Sequence, residues 1–322
     1  TFVYVSGDST SVKMDTITDF ATTVDQIQFT HTAAGGTVTF ADKGDATSVA
    51  DGLSLLAGVA GEYFFDKTNG KLAIDIDGNG LIQSSDTIIA LTGLEAFSSV
   101  DMDIVLTASD NAGTLTTASG NDRITTVIGD KVNVLVGGAG NDTYLMIDPG
   151  EVDVFVETAT GGTDTLVTGA ALDISGYKFG TTAAGATANG SLANFEQLVL
   201  KEGATFTLDE SNLSGYTGSI NLVAAGTLTI AAVGAGGSSA QTMDYSGIKS
   251  AAVSYLDANG AAAAGIAMDA NDILNITGGS SGIDTISTAP TIINNIVNSA
   301  GADIITLNTG VDTITLATAD RV

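Results

Sequence analysis

The sequence predicts an all-β fold: parallel β-roll or β-helix coils turned on Gly-Asp corners, joined to a smaller β module. Three observations carry this expectation. The 322 residues include 40 glycines and only 2 prolines, with frequent Thr, Ile and Val and no Trp, which favours short strands joined by glycine turns. Charged residues make up 15% of the chain, too few for helical bundles, and from Asn194 to Ile230 no helical periodicity is sustained beyond a few turns. Gly-x-Asp units recur, each with an apolar residue two places after the aspartate, where it begins a short strand and points into a core.

Along the chain, residues 1–106 read as a smaller β module that holds a calcium-loop candidate. Phe2-Val3-Tyr4-Val5 is strand-like, and Glu62 to Ile74 reads strand, Asn69-Gly70 turn, strand, a hairpin signal. Residues 107–235 carry the coils. Asp122, Asp142 and Asp164 fall 20 and 22 residues apart, near two nonapeptides with small insertions. The best-kept repeat is Gly137-Gly138-Ala139-Gly140-Asn141-Asp142-Thr143-Tyr144-Leu145, which reads G-G-x-G-x-D-x-U-x with U a large apolar residue. Asn194 to Leu200, Ala204 to Leu208 and Gly226 to Ile230 are short strands that suit a β-helix or a small sandwich equally. Residues 236–322 form a second coil-like region. There Asp284, Asp303 and Asp312 repeat the unit, the last two nine apart, with period-two alternation at Ile305/Leu307 and Ile314/Leu316.

Two stretches have the chemistry of a calcium site. The nonapeptide pattern is a calcium-binding one. Gly138 and Gly140 permit positive φ and close approach of backbone carbonyls to an ion, and Asp142 supplies a hard, charged oxygen. Asp122, Asp164, Asp284, Asp303 and Asp312 repeat the arrangement in weaker glycine frames, and solvated turns are their alternative reading. The second stretch, Asp75-Ile76-Asp77-Gly78-Asn79-Gly80-Leu81-Ile82-Gln83-Ser84-Ser85-Asp86, fits the twelve-residue loop D-x-D-x-N-G-x-x-x-x-x-D. Asp75, Asp77 and Asn79 offer side-chain oxygens at positions one, three and five. Gly80 turns the chain at six, the Leu81 carbonyl is the ligand at seven, and Asp86 closes the loop at twelve. Asp86 is shorter than the usual glutamate, so weaker closure and lower affinity are expected, and the element before the loop reads as a strand.

Composition closes off other classes. Against 37 acidic residues stand 10 basic ones, a formal net charge of −27, so a nucleic-acid face is excluded. Acidity of this order accompanies disorder only in chains poor in apolar residues, and this one is 44% apolar. The carboxylates therefore belong to a folded protein, in which bound divalent cations would relieve their repulsion. Cysteine is absent, which removes disulfides and thiolate sites. Ser211 to Met243 holds no charged residue, yet Ser, Thr, Asn and Gly interrupt it throughout, so buried strands or a contact surface between copies are expected there, not a membrane span. No enzyme is expected. His31 is the one histidine, no second ligand for zinc accompanies it, and it reads as an exposed or edge-strand residue.

Together these residues resemble the repeats-in-toxin, or haemolysin-type, calcium-binding proteins of bacteria. The segment Gly137 to Leu145 and the following Asp148-Pro149-Gly150 and Gly161-Gly162-Thr163-Asp164-Thr165-Leu166 carry the resemblance. Asp15-Thr16-Ile17-Thr18-Asp19-Phe20 with Asp25-Gln26-Ile27 is similar to the segment that closes β-rolls in secreted metalloproteases of that family. Asn194 to Ile230 looks like repeats of S-layer proteins and adhesins. The resemblance implies type I secretion, folding on calcium outside the cell, and a structural role in a surface layer, filament or biofilm matrix. It also leaves room for the non-catalytic calcium-folding part of an exported enzyme or toxin, or for an adhesin that binds a cell-surface glycan. In that family the β-roll precedes its closing segment. Here the order is reversed, which suggests one segment of a longer repetitive chain or copies joined head to tail, with an arbitrary boundary of the segment as the equal alternative.

Overall fold

The computed structural model describes residues 1–22, 24–33, 37–108, 113–117, 119–125, 132–146, 153–158, 161–169, 173–174, 176–183, 185–187, 190–201, 203–213, 216–233, 242–249, 251–256, 261–277, 285–297 and 303–315. The fold is mostly β, with several all-parallel sheets and very little helix. The chain divides into two compact units, Thr1–Tyr144 with Thr160–Gly162, and Leu145–Ala159 with Thr163–Val322.

The strands of the first unit are, in chain order, β1 (Phe2–Val5), β2 (Asp15–Ile17), β3 (Ile27–Ala33), β4 (Val38–Thr39), β5 (Asp42–Ala46), β6 (Tyr63–Asp66), β7 (Lys71–Ile74), β8 (Thr87–Leu91), β9 (Met102–Ala108), β10 (Thr114–Thr116), β11 (Arg123–Thr125) and β12 (Val134–Val136). Two of the sheets are parallel. In one, β1, β3, β9 and β11 run side by side, Phe2 opposite Ile27, Ile27 opposite Met102 and Val105 opposite Arg123. In the other, Leu115 of β10 pairs with Val38 of β4 on one side and Leu135 of β12 on the other. Phe29 and Phe40 meet with ring centroids 5.9 Å apart, a tilted contact that adds to their burial.

The third sheet, ordered β2-β8-β7-β6-β5, is mixed: β6, β7 and β8 are antiparallel neighbours, flanked by parallel β2 and β5. The hairpin expected at Asn69-Gly70 is β6–β7, with Asp66 opposite Lys71. Its turn is held by the Asp66 carboxylate, which accepts from the backbone of Thr68 and Asn69 at 3.1 and 3.2 Å. Every residue of β6 and β8 is buried, so neither strand alternates. One face packs on helix α1 (Val49–Leu53), where Phe64, Ala73, Ile88 and Ala46 meet Val49 and Leu56. Ser48 caps that helix, its hydroxyl accepting from the Asp51 N–H at 3.1 Å.

In the second unit Thr165–Thr168, Gln197–Leu200 and Ser219–Leu222 pair in parallel. Thr205–Asp209, Thr229–Val233, Ile273–Thr277, Ile293–Val297 and Asp312–Thr315 form a second parallel sheet. A third joins Thr242–Asp244, Thr285–Ser287 and Ile304–Thr306. The stretch from Asn194 to Ile230, which the sequence leaves open between a β-helix and a sandwich, thus alternates between two parallel sheets. Phe206, Leu208, Ile230, Ala232, Leu274 and Ile276 form the buried face of the five-stranded sheet. The uncharged Ser211 to Met243 contributes strands to these sheets, and no helix among the described residues is long and apolar enough to cross a membrane.

Candidate metal centre

The loop Asp75 to Asp86 is the connection of the antiparallel pair β7–β8, whose last rung is Ile74 opposite Thr87. That rung sets the first and twelfth loop positions side by side, because residues flanking a paired rung must leave it together. Gly78 and Gly80 take φ of +67° and +73°, folding the loop back over its own base. Carboxylate oxygens of Asp75, Asp77 and Asp86 consequently lie within 4.8 Å of one another, the first and last fully buried and Asp77 exposed.

Backbone donors hold these carboxylates in place. Asp75 Oδ1 accepts from Gly78 at 2.8 Å and Asn79 at 3.3 Å, and its Oδ2 accepts from Gly80 at 2.8 Å. Asp86 accepts from Ile76 at 3.0 Å and Gln83 at 2.7 Å, while Asp77 accepts from Asn79 at 3.2 Å. Asn79 Oδ1 accepts from the Leu81 N–H at 2.8 Å. Most of these oxygens accept one N–H and retain a second lone pair. The set is all hard oxygen, which suits calcium or magnesium and not zinc or copper. Burial pushes the Asp75 carboxyl above its usual range; the three N–H donors oppose the shift and the Asp86 charge adds to it.

The Gly-x-Asp units of the first unit stack. Gly140 donates to the Gly161 carbonyl at 2.6 Å and Gly120 to the Ala139 carbonyl at 2.9 Å. Gly138 and Gly140 take φ of +94° and +130°. At Gly140 glycine is also required by space, since a β-carbon there would sit 1.5 Å from the Gly120 carbonyl oxygen. The aspartates that follow brace the neighbouring strand. Asp122 Oδ1 accepts from the Ile104 N–H at 2.5 Å, and Asp142 Oδ1 accepts from the Asp122 N–H at 2.9 Å. Both side chains are buried. Among the described residues Oδ2 of Asp122 is buried with no hydrogen-bond partner; the Thr117 hydroxyl lies near it but donates to the Gly137 carbonyl. Burial pushes the Asp122 carboxyl up to about 7; the Ile104 N–H opposes the shift and the charge of Asp103 adds to it.

The remaining predicted ligands divide. Asp164, in the second unit, is fully buried, and its N–H donates to Glu196 Oε2 at 2.8 Å. Asp312 Oδ1 accepts from Asn294 Nδ2 at 2.8 Å. Asp303 is half-buried beside Ile304–Thr306, and Asp284 lies outside the described residues. Among the described residues, neither Asp303 nor Asp312 nor Asp122 joins a group of three acidic side chains close enough to share one ion. Sequence reasoning missed two braces of the same kind. Asp103 accepts from the Asn121 N–H at 3.3 Å, and Asp272 accepts from the Leu228 N–H at 2.9 Å. Asp272 sits in Asn271-Asp272-Ile273-Leu274 with no glycine before it; the Asn-Asp-x-apolar core shared with Asn121-Asp122 and Asn141-Asp142 was the available signal.

His31 departs from the exposed or edge-strand expectation. It lies on β3, which has β1 on one side and β9 on the other, and it is half-buried. Its Nδ1 is 2.9 Å from the Ser6 hydroxyl, its ring meets Phe40 edge-on, and burial lowers its pKa. Comparison of the chain with protein-family models, with curated protein sequences and with solved structures finds no match.

Proposed function

We propose that this chain is a calcium-binding structural protein of an extracellular bacterial assembly, built as β-roll coils with one dedicated calcium loop. The observation that carries the reading is the closure of Asp75, Asp77 and Asp86 oxygens within 4.8 Å at the mouth of a hairpin. Side chains of Asp75, Asp77, Asn79 and Asp86 and the carbonyl of Leu81 would hold the ion. Bound calcium would cancel the repulsion among these carboxylates and so link folding to extracellular calcium, which such modules bind at about 10⁻⁴–10⁻³ M. The stacked aspartates Asp122 and Asp142 act first as braces of adjacent strands and contribute ligands only where a second oxygen remains. Self-assembly is supported by edge strand β1, which among the described residues pairs with β3 alone and leaves Val3 and Val5 63% and 43% exposed.

The test is calorimetric titration of the whole chain with calcium, beside circular dichroism in excess chelator. Saturable binding is expected, lost in Asp75→Ala, with β structure or association diminished on chelation. No binding heat, and unaltered fold and association in chelator, would overturn the proposal.

A further inference from the structure

The calcium loop leans on a strap, residues 57–61, that also touches the edge of a parallel sheet. Asp75 donates its N–H to the Glu62 carbonyl at 2.8 Å, and its own carbonyl accepts from Gly61 at 2.7 Å. A β-carbon on Gly78 would lie 2.5 Å from the Ala60 nitrogen and 3.1 Å from its Cα, so loop and strap are in direct backbone contact. The opposite side of Ala60 faces β4: its carbonyl accepts from the Thr39 N–H at 2.8 Å. Next to Thr39, the Phe40 N–H reaches the Thr116 carbonyl at 2.9 Å, and β4 pairs with β10 through Val38–Leu115 and Thr39–Thr116. One residue, Ala60, therefore bridges the ion loop and the edge strand.

The strap has no regular secondary structure of its own, and a side chain fixes its conformation. Glu62 is buried, 3% exposed. Its Oε2 accepts from Ala57, Gly58 and Val59 at 2.6, 3.0 and 3.3 Å, and its Oε1 pairs with Lys43 Nζ at 2.9 Å. Three converging N–H groups make a small anion-holding nest, and the Lys43 ammonium neutralises the charge seated there. Both carboxylate oxygens of Glu62 are engaged by the strap and by Lys43, so its side chain acts on the loop through the strap.

We propose that Glu62 is the positioning residue of the calcium loop, and that through the 57–61 strap calcium binding orders edge strand β4 of the second parallel sheet. The inference rests on the calcium reading above. Residues one layer outside a metal site characteristically alter affinity by 10–100-fold when removed, because they set the angles of the ligands. On that logic the strap both preorganises the loop and transmits its state to the Val38–Leu115 rung.

The test is hydrogen exchange read by mass spectrometry on the whole chain, with calcium and in chelator, for wild type, Glu62→Ala, Lys43→Met and Asp75→Asn. In wild type, calcium is expected to slow exchange at residues 75–86, at 57–61 and at 38–40 together. Glu62→Ala should weaken calcium binding by about tenfold or more. It should also uncouple the Val38–Phe40 response from the loop, so that loop amides still slow at saturating calcium while those of β4 do not. Lys43→Met, at a partly exposed site, keeps the three N–H bonds and should fall between, which covers the case in which Glu62→Ala fails to fold. If wild type binds calcium, Asp75→Asn abolishes binding and both Glu62→Ala and Lys43→Met match wild type in affinity and in β4 protection, the positioning role is wrong and the calcium reading stands. If wild type shows no calcium response at 75–86, the calcium reading fails and takes this inference with it.

Discussion

At the scale of single residues, the costly feature is a carboxylate buried without full compensation. Asp122 has one oxygen satisfied by Ile104 and the other without a partner among the described residues, and its pKa is raised from 3.8 to about 7. A carboxyl whose folded pKa is raised favours the folded state most at low pH, and that contribution is lost as pH climbs from the unfolded to the folded value. Here the window runs from about 4 to about 7. Burial also raises Asp103, to about 6, and Asp75, which act in the same direction. His31, lowered by burial, opposes them below pH 6.5. In calcium-free buffer the urea midpoint should therefore fall between pH 5 and pH 8, and Asp122→Asn should flatten that slope while keeping an acceptor for Ile104. Asp122→Ala leaves that N–H unpaired and should cost about 1–3 kcal/mol at pH 5, a loss offset as pH rises because the buried charge goes with the side chain. A midpoint that rises over the same range would contradict the burial argument.

At the scale of elements, the stack depends on how closely successive corners approach. Alanine at Gly140 must displace the Gly120 carbonyl as well as adopt positive φ, and should cost roughly 2–5 kcal/mol from overpacking and backbone strain combined. Gly93 also has positive φ, +84°, but a β-carbon there would meet nothing among the described residues within 4 Å, so its alanine variant should cost only about 1 kcal/mol. Equal losses in the urea midpoint for the two variants would mean that the corners are not in tight contact. These corners were legible, because glycine spacing and the apolar residue after each aspartate are local signals. The approach of Asp75, Asp77 and Asp86 was legible for the same reason, since the three fall in one short run. Strand pairing was less so. Thr165–Thr168 is buried throughout, and Val167 packs with Leu145 and Val199 against Val253 and Tyr255, a cover drawn from some 90 residues later in the chain. Strands covered on both faces lose the alternation that reveals them. The strap was invisible to sequence reasoning too, because Glu62 belongs to no motif and reaches the loop only through folded backbone.

At the scale of the whole molecule, a net charge of −27 sets the terms on which the fold and any association of copies can be stable. Two effects of added calcium must be separated. General screening depends on ionic strength alone, with a Debye length of about 8 Å at 0.15 M, and sodium supplies it as well as calcium does. Binding at a site adds RT ln(1 + [L]/Kd), about 1.4–2.7 kcal/mol per site at ~10 mM calcium for dissociation constants of 10⁻³–10⁻⁴ M. Calcium should therefore raise the thermal midpoint well above that in sodium chloride of matched ionic strength, with magnesium between, since the smaller ion gives up its water reluctantly. Asp75→Asn should remove the calcium increment and leave the sodium effect untouched, because it changes the net charge by one part in 27. If sodium chloride reproduced the calcium midpoint, the acidic surface alone would account for the response, and the Asp75 to Asp86 loop would be a backbone-stapled hairpin turn and not an ion site.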